Sequence, residues 1–240
     1  MNDAFRASLD SLAETVHEAV ADAKPKLRGW LHLGTAPLTL AAGIVLIALS
    51  PDEVTRIGSA MFVGSALLLF TVSAIYHTGT WSPGTWAFLR RFDHSNIFVL
   101  IAGSYTPFAL ILLEGTERTV LLVTIWACAI LGVLFRVFWT DAPRWLYVPI
   151  YISMGWAAVF FLPGFAHGAS ERLGVGTGTA VLVLVAAGGA LYTLGGVVYG
   201  FKRPNPSPKF FGFHEVFHSF TILAFVSHYV GVSLATYSLR

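Results

Sequence analysis

Charge is scarce in this sequence. Asp, Glu, Lys and Arg supply 12% of its 240 residues against 55% hydrophobic, and mean hydropathy is +0.69. A chain so sparsely charged is not an ordinary soluble domain; it reads as a membrane protein. Net charge is only +2, and the basic residues fall in short clusters between apolar runs rather than along one stripe, which excludes nucleic acid as a partner. Cysteine is nearly absent. Cys128 stands alone inside an apolar run, so there is no intrachain disulfide framework and no cysteine zinc site, and its thiol is expected to fill core. The start, MNDAFRASLDSL, lacks both a basic and an apolar signal region, so no cleaved signal peptide is expected.

What is present is long apolar runs. Seven of them, at 30–49, 57–76, 92–113, 120–139, 145–165, 179–201 and 213–235, approach the ~20 residues a helix needs to cross the hydrocarbon core. The fold class expected is all-α, a seven-transmembrane helix bundle. Pro107 and Pro163 interrupt the third and fifth segments. Before the first, Phe5, Leu9, Leu12, Val16 and Val20 recur at three- and four-residue steps and predict an amphipathic helix over 1–24, closed by Lys24-Pro25-Lys26. Its other face is acidic, which argues against anchoring to anionic lipid and for a lid or packing element. The chain thus divides into a cytoplasmic amphipathic segment, 1–29, and a transmembrane domain, 30–240.

Counting basic residues on alternate sides gives an orientation. Arg6, Lys24, Lys26, Arg28, Arg90, Arg91, Arg136, Arg144, Lys202, Arg203 and Lys209 share one side, against Arg56, Arg118, Arg172 and Arg240 on the other. The excess predicts a cytoplasmic N-terminus and, with seven crossings, a C-terminus outside. Trp81, Trp86, Trp139, Trp145 and Tyr147 fall at segment ends, where an interfacial aromatic belt is expected.

Polar residues that need explaining gather at the cytoplasmic end. In FGFHEVFHSF, His214 and His218 are four apart at the head of the seventh segment, so both imidazoles project from one helical face. That is metal-ligand spacing, but zinc in a catalytic site takes three protein ligands and a water. The topology brings His77, at the end of the second segment, and Asp93, at the start of the third, to the same depth, with Ser73 on the face of His77 one turn deeper. An ionisable group at a spanning helix's centre costs about 2.5–3.5 kcal/mol on insertion scales, so such clustering favours function. Three histidines with a zinc-bound water form the open site of a hydrolytic enzyme, Asp93 would orient that water and take its proton, and Ser73 would hydrogen-bond a substrate carbonyl or a neighbour of the site. A scissile bond at that depth, with chains among the helices, belongs to a membrane lipid.

The chain resembles the hemolysin III branch of the progestin and adipoQ receptor family, adiponectin receptor-like proteins within a superfamily of membrane hydrolases that includes alkaline ceramidases. The motifs carrying it are SAIYH, FDHSNIFVLIAGSYTPF, MGW and YTLGGVVYGFKRPNPSPKFFGFHEVFH, and the resemblance covers all seven segments. It implies a seven-helix fold with zinc held by His77, His214 and His218, Ser73 and Asp93 as further signature positions, and hydrolysis of a ceramide-like amide bond.

Several plainer readings compete. A first-turn carboxylate is favoured by the helix dipole, and Arg90 and Arg91 offer Asp93 ion-pair partners. Serine is common in membrane helix packing. His94 faces away from Asp93 and is expected to pack or hydrogen-bond, His228 is expected to bond between helices, and His17, His32 and His167 carry no signal. GVGTG, 174–178, is expected in a loop without phosphate chemistry, while Gly188, Gly189, Gly195 and Gly196 are expected to let helices approach. HEVFH also matches the H-E-x-x-H zinc-protease pattern with Glu215 as base, but after His218 the chain offers only His228, about 15 Å along the helix. The expectation is therefore a zinc-dependent lipid amidohydrolase or esterase. The alternative is a pore-forming haemolysin or lipid-binding receptor in which zinc is structural.

Overall fold

The computed structural model describes residues 25–240, so the helix expected over 1–24 lies outside the described residues. Those residues form helices α1 (Trp30–Ala48), α2 (Glu53–Thr78), α3 (Pro83–Leu112), α4 (Gly115–Phe138), α5 (Arg144–Gly155), α6 (Leu162–Leu173), α7 (Val175–Phe201) and α8 (Phe213–Tyr237). A 3₁₀ stretch, Trp156–Phe161, joins α5 to α6, and the three pieces together make the fifth of seven helical units long and apolar enough to cross a membrane. The protein is an all-α, seven-span membrane bundle.

Several helices begin earlier than the apolar runs suggest, because local capping extends them into polar sequence. Asp52 accepts from the Thr55 amide at 2.8 Å while its own amide donates to Thr55 Oγ1, closing a capping box that starts α2 four residues before the apolar run. Ser82 accepts from the Thr85 amide and Pro83 occupies the first turn, so α3 starts nine residues before position 92. Gly174, at φ 75, directly precedes α7, so the GVGTG stretch expected as a loop is mostly first-turn helix. Pro107 does not end α3. It sits where that helix presses on α2, a Cβ on Gly58 falling 3.0 Å from Pro107 Cα. Pro163 does not break the fifth span either: it lies in the first turn of α6, where a missing N–H costs nothing, and the irregularity precedes it at Trp156–Phe161. The Tyr105 hydroxyl secures that irregular stretch, donating to Gly155 O at 2.6 Å and accepting from the Ala158 amide at 2.9 Å.

Helix α3 is the centre of the bundle, with 72% of its apolar window buried against 28% for α4. On α4 the buried positions are Leu121, Ile125, Ala129, Gly132 and Arg136, a single stripe at helical spacing. Cys128 falls beside that stripe and is exposed on the outer face, which corrects its expected core role. Of the expected aromatic belt, Trp86, Trp139 and Trp145 are exposed at helix ends, but Tyr147 is buried beneath the Arg136 guanidinium, 4.4 Å from its ring. Phe62 of α2 stacks on Phe225 of α8 and Phe70 meets the same ring edge-on, fixing the two helices that carry the histidines.

Candidate metal centre

Three helices converge on one corner. His77 comes from the last turn of α2, His214 and His218 from the first two turns of α8, and Asp93 from the third turn of α3. One nitrogen from each histidine lies within 4.8 Å of one from each other. The ring centroids stand 4.8 Å (His77–His214), 5.4 Å (His77–His218) and 4.5 Å (His214–His218) apart. His214 Nε2 and His218 Nδ1 are buried with no hydrogen-bond partner, an arrangement that costs several kcal/mol, on the order of 2–7, unless something fills it. Three neutral imidazoles suit zinc, whose Zn–N bonds of about 2.0–2.1 Å require only that the rings close in slightly. The residues fit the ion.

Asp93 Oδ2 lies 3.7 Å from His77 Nε2 and 3.9 Å from His94 Nδ1, and Ser73 stands beside the same carboxyl. Because α3 begins at Pro83, Asp93 is well past the first turn, and the dipole explanation for it fails. The arginine explanation fails as well. Arg90 pairs with Asp141 at 3.1 Å and Arg91 donates to Thr140 Oγ1 at 2.9 Å, leaving Asp93 facing the histidines.

Glu215 is fully engaged elsewhere. Its side chain is 0% exposed, Oε1 accepts from Arg28 Nε at 2.8 Å, and Oε2 accepts from the Gly212 amide at 2.7 Å, so it caps α8 and holds the chain before α1. The same strand of chain donates Lys26 N to Lys209 O at 3.0 Å and Leu27 N to Phe210 O at 3.2 Å. Gly29 then turns at φ 88 directly against His77, where a Cβ would lie 2.7 Å from that of the histidine. Only glycine fits both demands.

His32, given no role from the sequence, belongs to this corner. It is 2% exposed, its ring stacks on His218 with centroids 3.8 Å apart, and neither of its nitrogens has a hydrogen-bond partner. The signal was available in the topology: α1 enters from the same side as His214, and His32 is the third residue of α1.

Residues 21–229 match the family described as haemolysin-III related, a span that includes every residue named at this corner. The chain belongs to the haemolysin-III-related family. It is 35% identical over 162 residues to the hemolysin-3 homolog of Bacillus subtilis (strain 168), covering 68% of this chain and 69% of that protein. It is 32% identical over 171 residues to hemolysin-3 of Bacillus cereus, covering 70% and 74%.

In this haemolysin-III-related bundle the corner opens into a cavity of about 140 Å³. Ser73, Asp93, His32, His214 and His218 form one end, and the walls beyond are mostly apolar, with Leu69, Leu100, Ile101, Phe108 and Val148 among them. Beside the mouth, His94 Nδ1 donates to Arg90 O at 2.7 Å, so its Nε2 accepts from Tyr199 OH at 3.3 Å; Tyr151 OH donates to His94 O at 3.1 Å. His94 is therefore a hydrogen-bonding residue that fixes this part of α3 against α5 and α7. His228, further along α8, bonds through Nε2 to Val185 O at 3.2 Å, the interhelical contact expected of it. His167 lies exposed beside Glu171, remote from the corner, and His17 lies outside the described residues.

Proposed function

We propose that this protein is an integral-membrane zinc-dependent hydrolase that cleaves an amide bond of the ceramide type, or an ester bond, in a membrane lipid. The observation that carries the reading is the meeting of three clustered imidazoles and the Asp93 carboxyl at the polar end of an otherwise apolar cavity. His77, His214 and His218 would hold the ion, which when bound polarises a carbonyl and makes water acidic near neutrality. Asp93 Oδ2 is the atom placed to take a proton from the attacking water. As water oxygen bonds to the carbonyl carbon and the C–N or C–O bond breaks, Asp93 returns that proton to the leaving nitrogen or oxygen. Ser73 holds the Asp93 carboxyl in place, and the apolar walls admit the acyl chain while excluding bulk water.

The charge asymmetry of the sequence supports placing this corner at the cytoplasmic face, with the C-terminus outside; a reporter that works only outside the cytoplasm, fused after Arg240, would then be active. The name hemolysin-3 carried by the Bacillus cereus relative supports a second reading, membrane lesion with structural zinc. Purified protein in liposomes of labelled ceramide and phospholipid separates the two. Zinc-dependent release of free acyl chain, lost in Asp93→Asn with zinc retained, supports the hydrolase. Dye leakage without turnover of any lipid class overturns it.

A further inference from the structure

Midway along the cavity, away from the metal corner, stands a second polar position. His228 lies ten residues after His218 on the unbroken helix α8, about 15 Å deeper at the helical rise. It lines the cavity and is 8% exposed. Its Nε2 meets Val185 O, and since a carbonyl only accepts, that nitrogen carries the proton and Nδ1 is left as an acceptor. Nδ1 is buried with no partner. Across the α7–α8 contact, the Tyr192 ring stands 5.6 Å from the His228 ring, and its hydroxyl is turned toward Ser104 without meeting hydrogen-bond geometry. Ser104 has already given its own proton to Leu100 O at 2.8 Å.

A bare acceptor and an unsatisfied hydroxyl, buried on two side chains that line one apolar space, cost more than an apolar pair of the same shape unless a ligand completes them. The complement has a defined chemistry. It must donate to His228 Nδ1 and accept from Tyr192 OH, which is what an alcohol does. A carboxylate or phosphate is disfavoured by the absence of any cationic side chain among the residues lining this part of the cavity, and a plain hydrocarbon leaves both groups unmet.

We propose that the His228–Tyr192 position binds a hydroxyl group carried mid-chain by the lipid occupying the cavity, about 15 Å from the polar end that sits at the histidine corner. The assignment rests on the lipid-site reading above but not on turnover. It makes His228 a chain-reading residue that selects hydroxylated acyl or alkyl chains over saturated, unsubstituted ones.

The test is equilibrium binding to the full chain in lipid nanodiscs, using octadecanoic acid, 12-hydroxyoctadecanoic acid and 2-hydroxyoctadecanoic acid as probes. The 12-hydroxy acid is expected to bind about fivefold more tightly than octadecanoic acid, the gain of one or two added hydrogen bonds, and the 2-hydroxy acid without that advantage. His228→Phe, which keeps a ring but removes the acceptor, is expected to equalise the 12-hydroxy and unsubstituted acids while still binding both. Should His228→Phe fail to fold, Tyr192→Phe is expected to reduce the preference by itself. Equal affinity of wild type for the two acids overturns the hydroxyl assignment and leaves the lipid site standing. Failure to bind any of the three overturns both. A preference that survives both substitutions also overturns the assignment.

Discussion

His32 lies flat against His218, ring planes 17° from parallel, so one histidine of the corner is positioned by another that does not join the cluster of donor nitrogens. Stacked rings restrain rotation of His218 about its side-chain bonds, and partners that orient a metal-binding imidazole typically alter affinity about 10–100-fold when lost. His32→Ala is expected to lower zinc affinity about tenfold, and His32→Phe to restore most of it. Competition with a chromophoric chelator checks both; equal affinity in all three proteins removes the stacking role.

Asp93→Asn keeps the size and hydrogen-bonding capacity of the side chain but not its basicity. Lipid turnover is expected to fall by about two to four orders of magnitude with zinc content unchanged. Ser73→Ala, which only loosens the carboxyl, is expected to cost on the order of tenfold. A Ser73 effect as large as that of Asp93 would give serine the direct role and demote the carboxylate.

Gly29→Ala tests how closely the chain before α1 presses on His77. A side chain at positive φ costs about 1–2 kcal/mol, and here it also meets the histidine's Cβ. The expected result is a lower melting temperature and weaker zinc retention together. Loss of stability with zinc affinity intact would show that His77 tolerates the displacement.

The Arg28–Glu215 pair predicts an asymmetry. Arg28→Ala leaves a fully buried carboxylate without its cation, held only by the Gly212 amide, and is expected to cost about 2 kcal/mol, moderated by the partial exposure of the arginine. Glu215→Gln still accepts from the Gly212 amide and releases an arginine able to reach water, so it costs less. Thermal unfolding of the single and double variants in detergent measures both. If Glu215→Gln instead abolishes turnover with fold and zinc intact, the H-E-x-x-H reading returns.

The seven spans were legible because hydropathy over twenty residues overwhelms local detail, and their boundaries were not because Ser82, Asp52 and Gly174 start helices in polar sequence. The topology also placed His77, Asp93, His214 and His218 at one depth, with Ser73 one turn deeper, and the structure brings them together. His32 was legible by the same topology but passed over, since a single histidine without a partner at helical spacing announces nothing locally. Its significance lies in the α1–α8 contact. Cys128 and Tyr147 were misplaced for a related reason: in a segment apolar all round, composition does not say which face turns inward.

The short run from Lys26 to Gly29 joins the α7–α8 connection by two backbone bonds, α8 by Arg28, and the end of α2 by Gly29. A cation gripped by His77, His214 and His218 would clamp the same two helices from within. By thermodynamic linkage each clamp tightens the other, so chelation should make this corner easier to pry open, and cutting the chain near Arg28 should loosen the protein's hold on its metal.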